Sequence, residues 1–288
     1  MRVERLPFTV YDIVGYFFPG VLAIAALSWF ARGHFQSDLF WLIEVGPEIQ
    51  ASSEMPEWFS GVLDVVVFGI VAFAIGHVIS FLSSVTIERL TNEFVGYPSE
   101  YLLAPMGFVG PVGQRFMTQR LKGFFKSSMV LLNVLFFPIY LFFVVVNVTG
   151  TIRAVVKPLT EPQANILRER FAATFQQDMA DHPPGSSFAL VCGYMFHNFP
   201  EIAARMYNYV VLYGFLRTLT FLSYVIAVCF GIRVFVDLCS GTYPNAWFAF
   251  IVTMSICFCF LLAFIKFYRR YSREAVISFI TFDKELHK

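Results

Sequence analysis

The chain has 288 residues, of which 57% are hydrophobic and 14% charged, with 36 Phe and a formal net charge of +1. Soluble proteins average about 25% charged residues, so this apolar surplus excludes an ordinary soluble domain and points to a polytopic membrane protein. The near-neutral balance supplies no field for duplex nucleic acid, and direct binding to it is not expected.

A membrane-crossing helix needs about 20 mostly apolar residues. The first such segment, 10–31, contains "YDIVGYFFPG". Arg2 and Arg5 precede it as in a signal peptide, but Asp12 inside the apolar region argues for an uncleaved first span. Thr9 and Asp12 stand three apart, like a capping box, which places Asp12 at the helix mouth near its positive end. Pro19 frees the Gly15 carbonyl and bends the helix. Asp12, Gly15, Tyr16, Pro19, Ala23 and Ala26 share one face, which suits either helix packing or a gate lining a pore. The loop 33–60 has no Lys or Arg and carries Asp38, Glu44, Glu48, Glu54 and Glu57, which suits the outside of the cell.

The second predicted span, 62–84, repeats Ala72, Gly76, Ser80 and Ser84 every four residues, a stripe that lets helices approach closely. His77 lies beside the stripe at membrane depth, where packing and proton or ion sensing are the alternatives. Asp64 reads as interfacial. The third apolar stretch, 129–148, has Pro138 at its centre and Asn133 and Asn147 near its ends.

Next comes "TEPQANILRERFAATFQQDM", an amphipathic helix with Thr160 as N-cap and Pro162 just inside. "DHPPGSS" reads as a turn. A second helix starts with Asn198 as cap, has Pro200 and Glu201 in its first turn, and meets no breaker before Gly231, so it runs into the span at 218–236. Arg168, Arg170, Arg205 and Asn208 are candidates for reading a cytoplasmic signal. Arg217 opens that span and Arg233 closes it; both either snorkel or, in an oligomer, ring a pore and favour anions. After the last span, 246–267, "FYRRYSREAVISFI" places Arg269 and Arg270 where anionic lipid head groups, or a phosphate-bearing ligand, attract them.

Basic residues flank both chain ends and fill the region between the second and penultimate spans, so both termini are expected in the cytoplasm and the span count even. The expected fold is an all-α integral membrane protein with four transmembrane helices, five being the alternative, and a helical cytoplasmic layer between the second and penultimate span. Residues 1–90 would hold the first two spans and the acidic external loop. Residues 91–207 would form the cytoplasmic helical region, with 129–148 re-entrant or embedded. Residues 208–268 would hold the last two spans, and 269–288 a basic cytoplasmic tail. HExxH, GxSxG and Walker sequences are absent, and Cys192, Cys229, Cys239, Cys257 and Cys259 lack zinc-ligand spacing. His182, Cys192 and His197 make a poor metal set. No catalytic residue, metal or cofactor is expected.

"YDIVGYFFPG", "GHVISFLSS", "RMYNYVVLYGFLR" and "YRRYSRE", in that order, resemble a loosely defined group of bacterial polytopic membrane proteins often encoded beside antiviral defence genes. The match covers most of the chain through short, degenerate motifs, and it is similar to channel-forming defence effectors such as the Hailong membrane effector. The resemblance extends to Asp12, Gly15, Tyr16, Pro19, Gly20, Gly76, His77, Arg205, Asn208 and Arg217. The stretch 129–148 departs from the group's pattern. The resemblance implies a pore in the bacterial inner membrane, opened by a nucleotide-type signal or a cytoplasmic sensor protein, with the lipid bilayer and further copies of the chain, four in the simplest assembly, as partners. The alternative is a scaffold or transporter subunit that pairs with another membrane protein and has no pore. An intramembrane enzyme using His77 with Asp12 or Asp64 is the weakest reading, since the two carboxylates fall near opposite faces.

Overall fold

A computed structural model describes residues 12–34, 57–103, 136–148, 158–241 and 246–281, and the regular structure among the described residues is helical throughout. Three helices are long and apolar enough to cross a membrane: Gly61–Asn92, Pro200–Cys239 and Trp247–Thr281. The chain is therefore an all-helical, multi-pass membrane protein. The first predicted span is present as a shorter apolar helix, Ile13–Ser28.

The chain divides into two compact units, one formed by residues 1–87 and 214–261, the other by 88–213 and 262–288. In the first unit a π-helical turn, Ile13–Phe17, leads into α1, Phe18–His34. The amide of Phe18 bonds to the carbonyl of Ile13, five residues back. The reason lies downstream: Pro19 has no N–H to offer Gly15, so the regular ladder is already broken there and the wider turn is tolerated. Asp12 has helical backbone angles, as the third residue of the expected capping box would have. Its proposed partner Thr9 lies outside the described residues. The same unit holds α2, Glu57–Ser83, followed by a second π-turn, Ser84–Glu88, which straddles its boundary.

The second unit begins with α3, Arg89–Val95, and α4, Pro98–Leu102. α5, Phe137–Val148, is the described part of the predicted stretch 129–148. At 1.5 Å per residue it is about 18 Å long, well short of a hydrocarbon core of about 30 Å. Ile139, Phe143 and Val146 are buried while Phe137, Leu141 and Val145 are exposed. Phe94 of α3 stacks on Phe143 at 5.0 Å between ring centroids and meets Tyr140 edge-on at 4.9 Å.

α6 spans Glu161–Phe175, and its first turn follows the sequence expectation: the Thr160 amide donates to Gln163 Oε1 at 3.2 Å. A helix missed by the sequence reading, α7, runs from Pro184 to Asn198. A short 3₁₀ turn, Met179–Asp181, leads into the "DHPPGSS" stretch, which holds the start of α7 with Pro184 in the first helical turn. Asn198 closes α7, donating from Nδ2 to the Tyr194 carbonyl at 2.9 Å, and Phe199 rather than Asn198 stands directly before the next helix. That helix, α8, is continuous from Pro200 to Cys239, 40 residues, and α9 runs from Trp247 to Thr281, 35 residues. Each contributes its residues to both units.

The core of the second unit is an apolar cluster supplied mainly by four helices. Ala164, Leu167 and Phe171 of α6, spaced three and four apart, meet Val191, Cys192 and Met195 of α7, Ile202 and Met206 of α8, and Ala275, Val276 and Phe279 of α9. Residues beyond 268, expected to be a tail, thus continue α9 and close this core. Cys192 Sγ lies 3.9 Å from the Tyr271 hydroxyl. Burial pushes the Cys192 thiol up to about 12, with the Tyr271 hydrogen bond acting the other way. Since the thiolate is the reactive form, Cys192 should stay unlabelled by maleimide at pH 8 while the unit is folded. Phe171→Ala removes a fully buried ring and should cost about 3–5 kcal/mol. Peptide mass spectrometry should then show Cys192 labelling accelerated on the order of a hundredfold; an unchanged rate would mean that Phe171 does not hold this core.

Candidate functional site

The site is built on the crossing of α1 and α2. Gly15, Pro19, Gly20 and Ala23 are buried on one side; Ala72, Gly76 and Ser80 are buried on the other. A Cβ added to Gly20 would collide with the Ala72 carbonyl, and one added to Gly76 would collide with the Tyr16 carbonyl. The two backbones therefore touch through their glycines, each facing a carbonyl of the opposite helix. Such contact is open only to glycine and favours packing in lipid, where no hydrophobic force drives helices together. The sequence stripe is thus used by the fold, with one change. The fourth buried position is Ser83, fully enclosed, whereas Ser84 opens the π-turn and is half-buried.

Beside the crossing, Tyr16 stacks on His77 at 3.8 Å between centroids and 21° between planes. Phe73 meets the His77 ring edge-on at 4.5 Å and the Tyr16 ring at 6.1 Å. His77 keeps an exposed residue surface despite this stacking. A groove of about 300 Å³ lies next to the cluster, with Ile13 and Phe17 from the π-turn, Gly69, Ile70 and Phe73 from α2, and Asp12 among its lining residues. The structure therefore gathers five sequence-predicted residues, Asp12, Gly15, Tyr16, Pro19 and His77, around one helix pair.

Arg217 joins the other end of the stripe. Its Nε donates to Ser83 Oγ at 3.2 Å, and Nη2 lies 3.5 Å from both the carbonyl and the Oγ of Ser80. Ser83 Oγ donates in turn to the Ser80 carbonyl at 2.8 Å and sits 3.5 Å from Thr218 Oγ1. A half-buried guanidinium is thus seated on two serines of α2. The nearby hydroxyls of α8 are satisfied within their own helix: Thr218 donates to Gly214, Thr220 to Leu216 and Ser223 to Leu219, at 2.9, 2.8 and 2.7 Å. This is the arrangement lipid demands of polar side chains in a spanning helix.

Arg233 differs from Arg217. It pairs with Asp237 one turn on, Nε to Oδ1 3.1 Å, so the pair brings no net charge to that end of α8.

The predicted signal-reading arginines separate into two kinds. Arg170 of α6 donates to the Ile280 carbonyl in the last turn of α9, satisfying an acceptor that a helix end leaves open. Arg205 of α8 pairs with Glu274 of α9 at 3.2 Å. Both tie helices of the second unit together, a role the sequence could not show without the position of α9. Arg168 and Asn208 are exposed. Arg269 is half-buried, and Arg270 is exposed with its guanidinium 5.5 Å from the Phe267 ring centroid. His182 bonds to Gln177 at 2.8 Å, and among the described residues no three His, Cys, Asp or Glu side chains gather as a metal site.

No protein-family model matches the chain, and neither a curated protein nor a solved structure does.

The glycine contacts give a paired test. Gly76→Ala forces the two backbones apart and should cost at least about 1–3 kcal/mol. Nothing stands within 4 Å of a Cβ placed on Gly69, so Gly69→Ala should be neutral or stabilising by up to about 1 kcal/mol. Thermal unfolding of the detergent-solubilised protein measures both, and equal melting temperatures for the two variants would contradict the close crossing.

Proposed function

We propose that the chain is a bacterial inner-membrane effector that assembles with copies of itself into an ion-conducting pore, gated by a cytoplasmic signal in antiviral defence. On this reading Ile13–Ser28 is a fourth membrane segment, made up to length by its flanks, both termini are cytoplasmic, and the second unit forms the cytoplasmic layer. The observation that carries it is the seat of Arg217. A guanidinium hydrogen-bonded to Ser80 and Ser83, within a helix set that is otherwise apolar, is costly in lipid unless a polar conduit or a protein partner adjoins it. Tyr16, His77 and the π-turn ahead of Pro19 lie along the same helix pair, and π-turns recur where helices change shape for function. α8 offers a route for the signal, because its backbone is unbroken from Pro200 through Arg217.

Since Arg233 is neutralised by Asp237, Arg217 is the residue expected to set ion preference. Protein reconstituted in vesicles should leak ions when a nucleotide-type signal is supplied, and Arg217→Gln should move the reversal potential toward cation preference. Wild-type protein that leaves every vesicle sealed under each signal would end the pore reading.

A second reading, a scaffold or transporter subunit without its own pore, draws on α2. Val65 and Ile70 are 71% and 64% exposed, and Val62 to Phe68 are exposed all round the helix. Such a surface could receive a helix of another membrane protein. Stoichiometric co-purification of a second membrane protein, together with sealed vesicles, is the outcome that favours it.

A further inference from the structure

Past its apolar segment, α9 carries four basic residues, and three of them, Lys266, Arg270 and Arg273, are exposed. Their spacing of four and three places them along one face of the helix. Among the described residues, neither Lys266 nor Arg273 has a hydrogen bond or ion pair, and Arg270 has only the Phe267 ring beneath it. Glu274, the nearest carboxylate in sequence, is taken by Arg205.

The axial positions of these charges follow from the helix itself. From Trp247 to Ile265 the sequence has no charged residue, which is about 28 Å of helix, close to the about 30 Å of a bilayer's hydrocarbon core. Lys266 therefore falls at the edge of the core. Arg270 lies about 6 Å further along the axis and Arg273 about 10 Å, a span that matches the head-group layer. The other side of the same turns carries the aromatic rings expected at such a boundary: Tyr213 lies 5.0 Å from Tyr268 and 6.1 Å from Tyr271, and Tyr209 lies 6.4 Å from Phe267.

We infer that Lys266, Arg270 and Arg273 form a binding site for the phosphate of an anionic phospholipid head group. The ligand is a lipid rather than a free anion because the three cations follow the depth of the head-group layer instead of converging on one point. Arg270 lies over the Phe267 ring, which takes up none of its N–H donors, and the two flanking cations are exposed beside it. The site rests on the chain spanning a membrane and is independent of whether it conducts.

The test is lipid retention by the full-length protein in nanodiscs, read by native mass spectrometry after extraction. Discs would contain phosphatidylcholine alone or mixed with phosphatidylglycerol. Wild-type protein should keep phosphatidylglycerol selectively. Each basic residue at an anionic surface is worth about fivefold in affinity, so the triple variant K266Q/R270Q/R273Q should lose on the order of a hundredfold. The charge-keeping variant K266R/R270K/R273K should retain the lipid. Slow labelling of Cys192 in both variants shows that the second unit remains folded. Inorganic phosphate at millimolar concentration should fail to displace the lipid. Equal retention of the two lipids, undiminished retention by the folded triple variant, or complete displacement by phosphate would each overturn the inference. Vesicle leak that persists while lipid selectivity is absent would separate failure of this site from failure of the pore reading.

Discussion

Backbone contact between α1 and α2 is the constraint on which the first unit depends. In lipid, helices gain nothing by hiding apolar surface from acyl chains, so affinity must come from contact quality. Here Gly20 receives the Ala72 carbonyl and Gly76 receives the Tyr16 carbonyl. No other residue type can occupy those positions at that separation. The cost is a glycine inside each helix, on the order of 1 kcal/mol against alanine, and on one strand of the crossing a proline three residues from Tyr16. The π-turn absorbs that proline: the ladder bond missing at Gly15 is replaced by wider spacing upstream rather than by an open break. Tyr16 then has its carbonyl on Gly76 and its ring on His77, so backbone packing and the aromatic cluster are set by one residue.

Polar side chains in this setting fall into two groups. Thr218, Thr220, Ser223 and Ser255 return their protons to a carbonyl one turn back, and so are neutral passengers in spanning helices. Ser80, Ser83 and Arg217 instead bind across two helices. A guanidinium has five donors in a fixed plane, and two serines occupy part of that set. Arg217 is therefore a fastening between α2 and α8. Arg233, paired within its own helix, is not.

The second unit obeys a different rule. Its core of Leu, Phe, Met and Val comes from α6, α7, α8 and α9, with an amphipathic helix supplying residues three and four apart. Charged groups serve there as fastenings at helix ends: Arg170 reaches the end of α9 and Arg205 its flank. The exposed Arg205–Glu274 pair contributes little stability, about 0–1 kcal/mol, so its value lies in setting how the helices align. On α9 itself, Lys266, Arg270 and Arg273 are left facing outward.

The all-helical membrane character could be read from composition and run length, because those properties follow from what each segment needs locally in lipid. The long continuous α8, the Thr160 start of α6 and the buried positions Ala72, Gly76 and Ser80 were legible for the same reason: spacing along a helix decides its faces. What the sequence left open were choices of partner. Nothing near Gly20 announces Ala72 as its neighbour across the crossing. A uniform repeat of four pointed to Ser84, but a position three residues on shares the same face, and it is Ser83 that is enclosed. Arg170, Arg205 and Arg217 look alike as solitary cations in a string of letters, and their different roles depend on a carbonyl, a carboxylate and two serines lying 110, 69 and about 135 positions away. Local chemistry sets which segments enter the bilayer and which faces are apolar; contacts distant in sequence decide which charge is spent on structure and which is left for function.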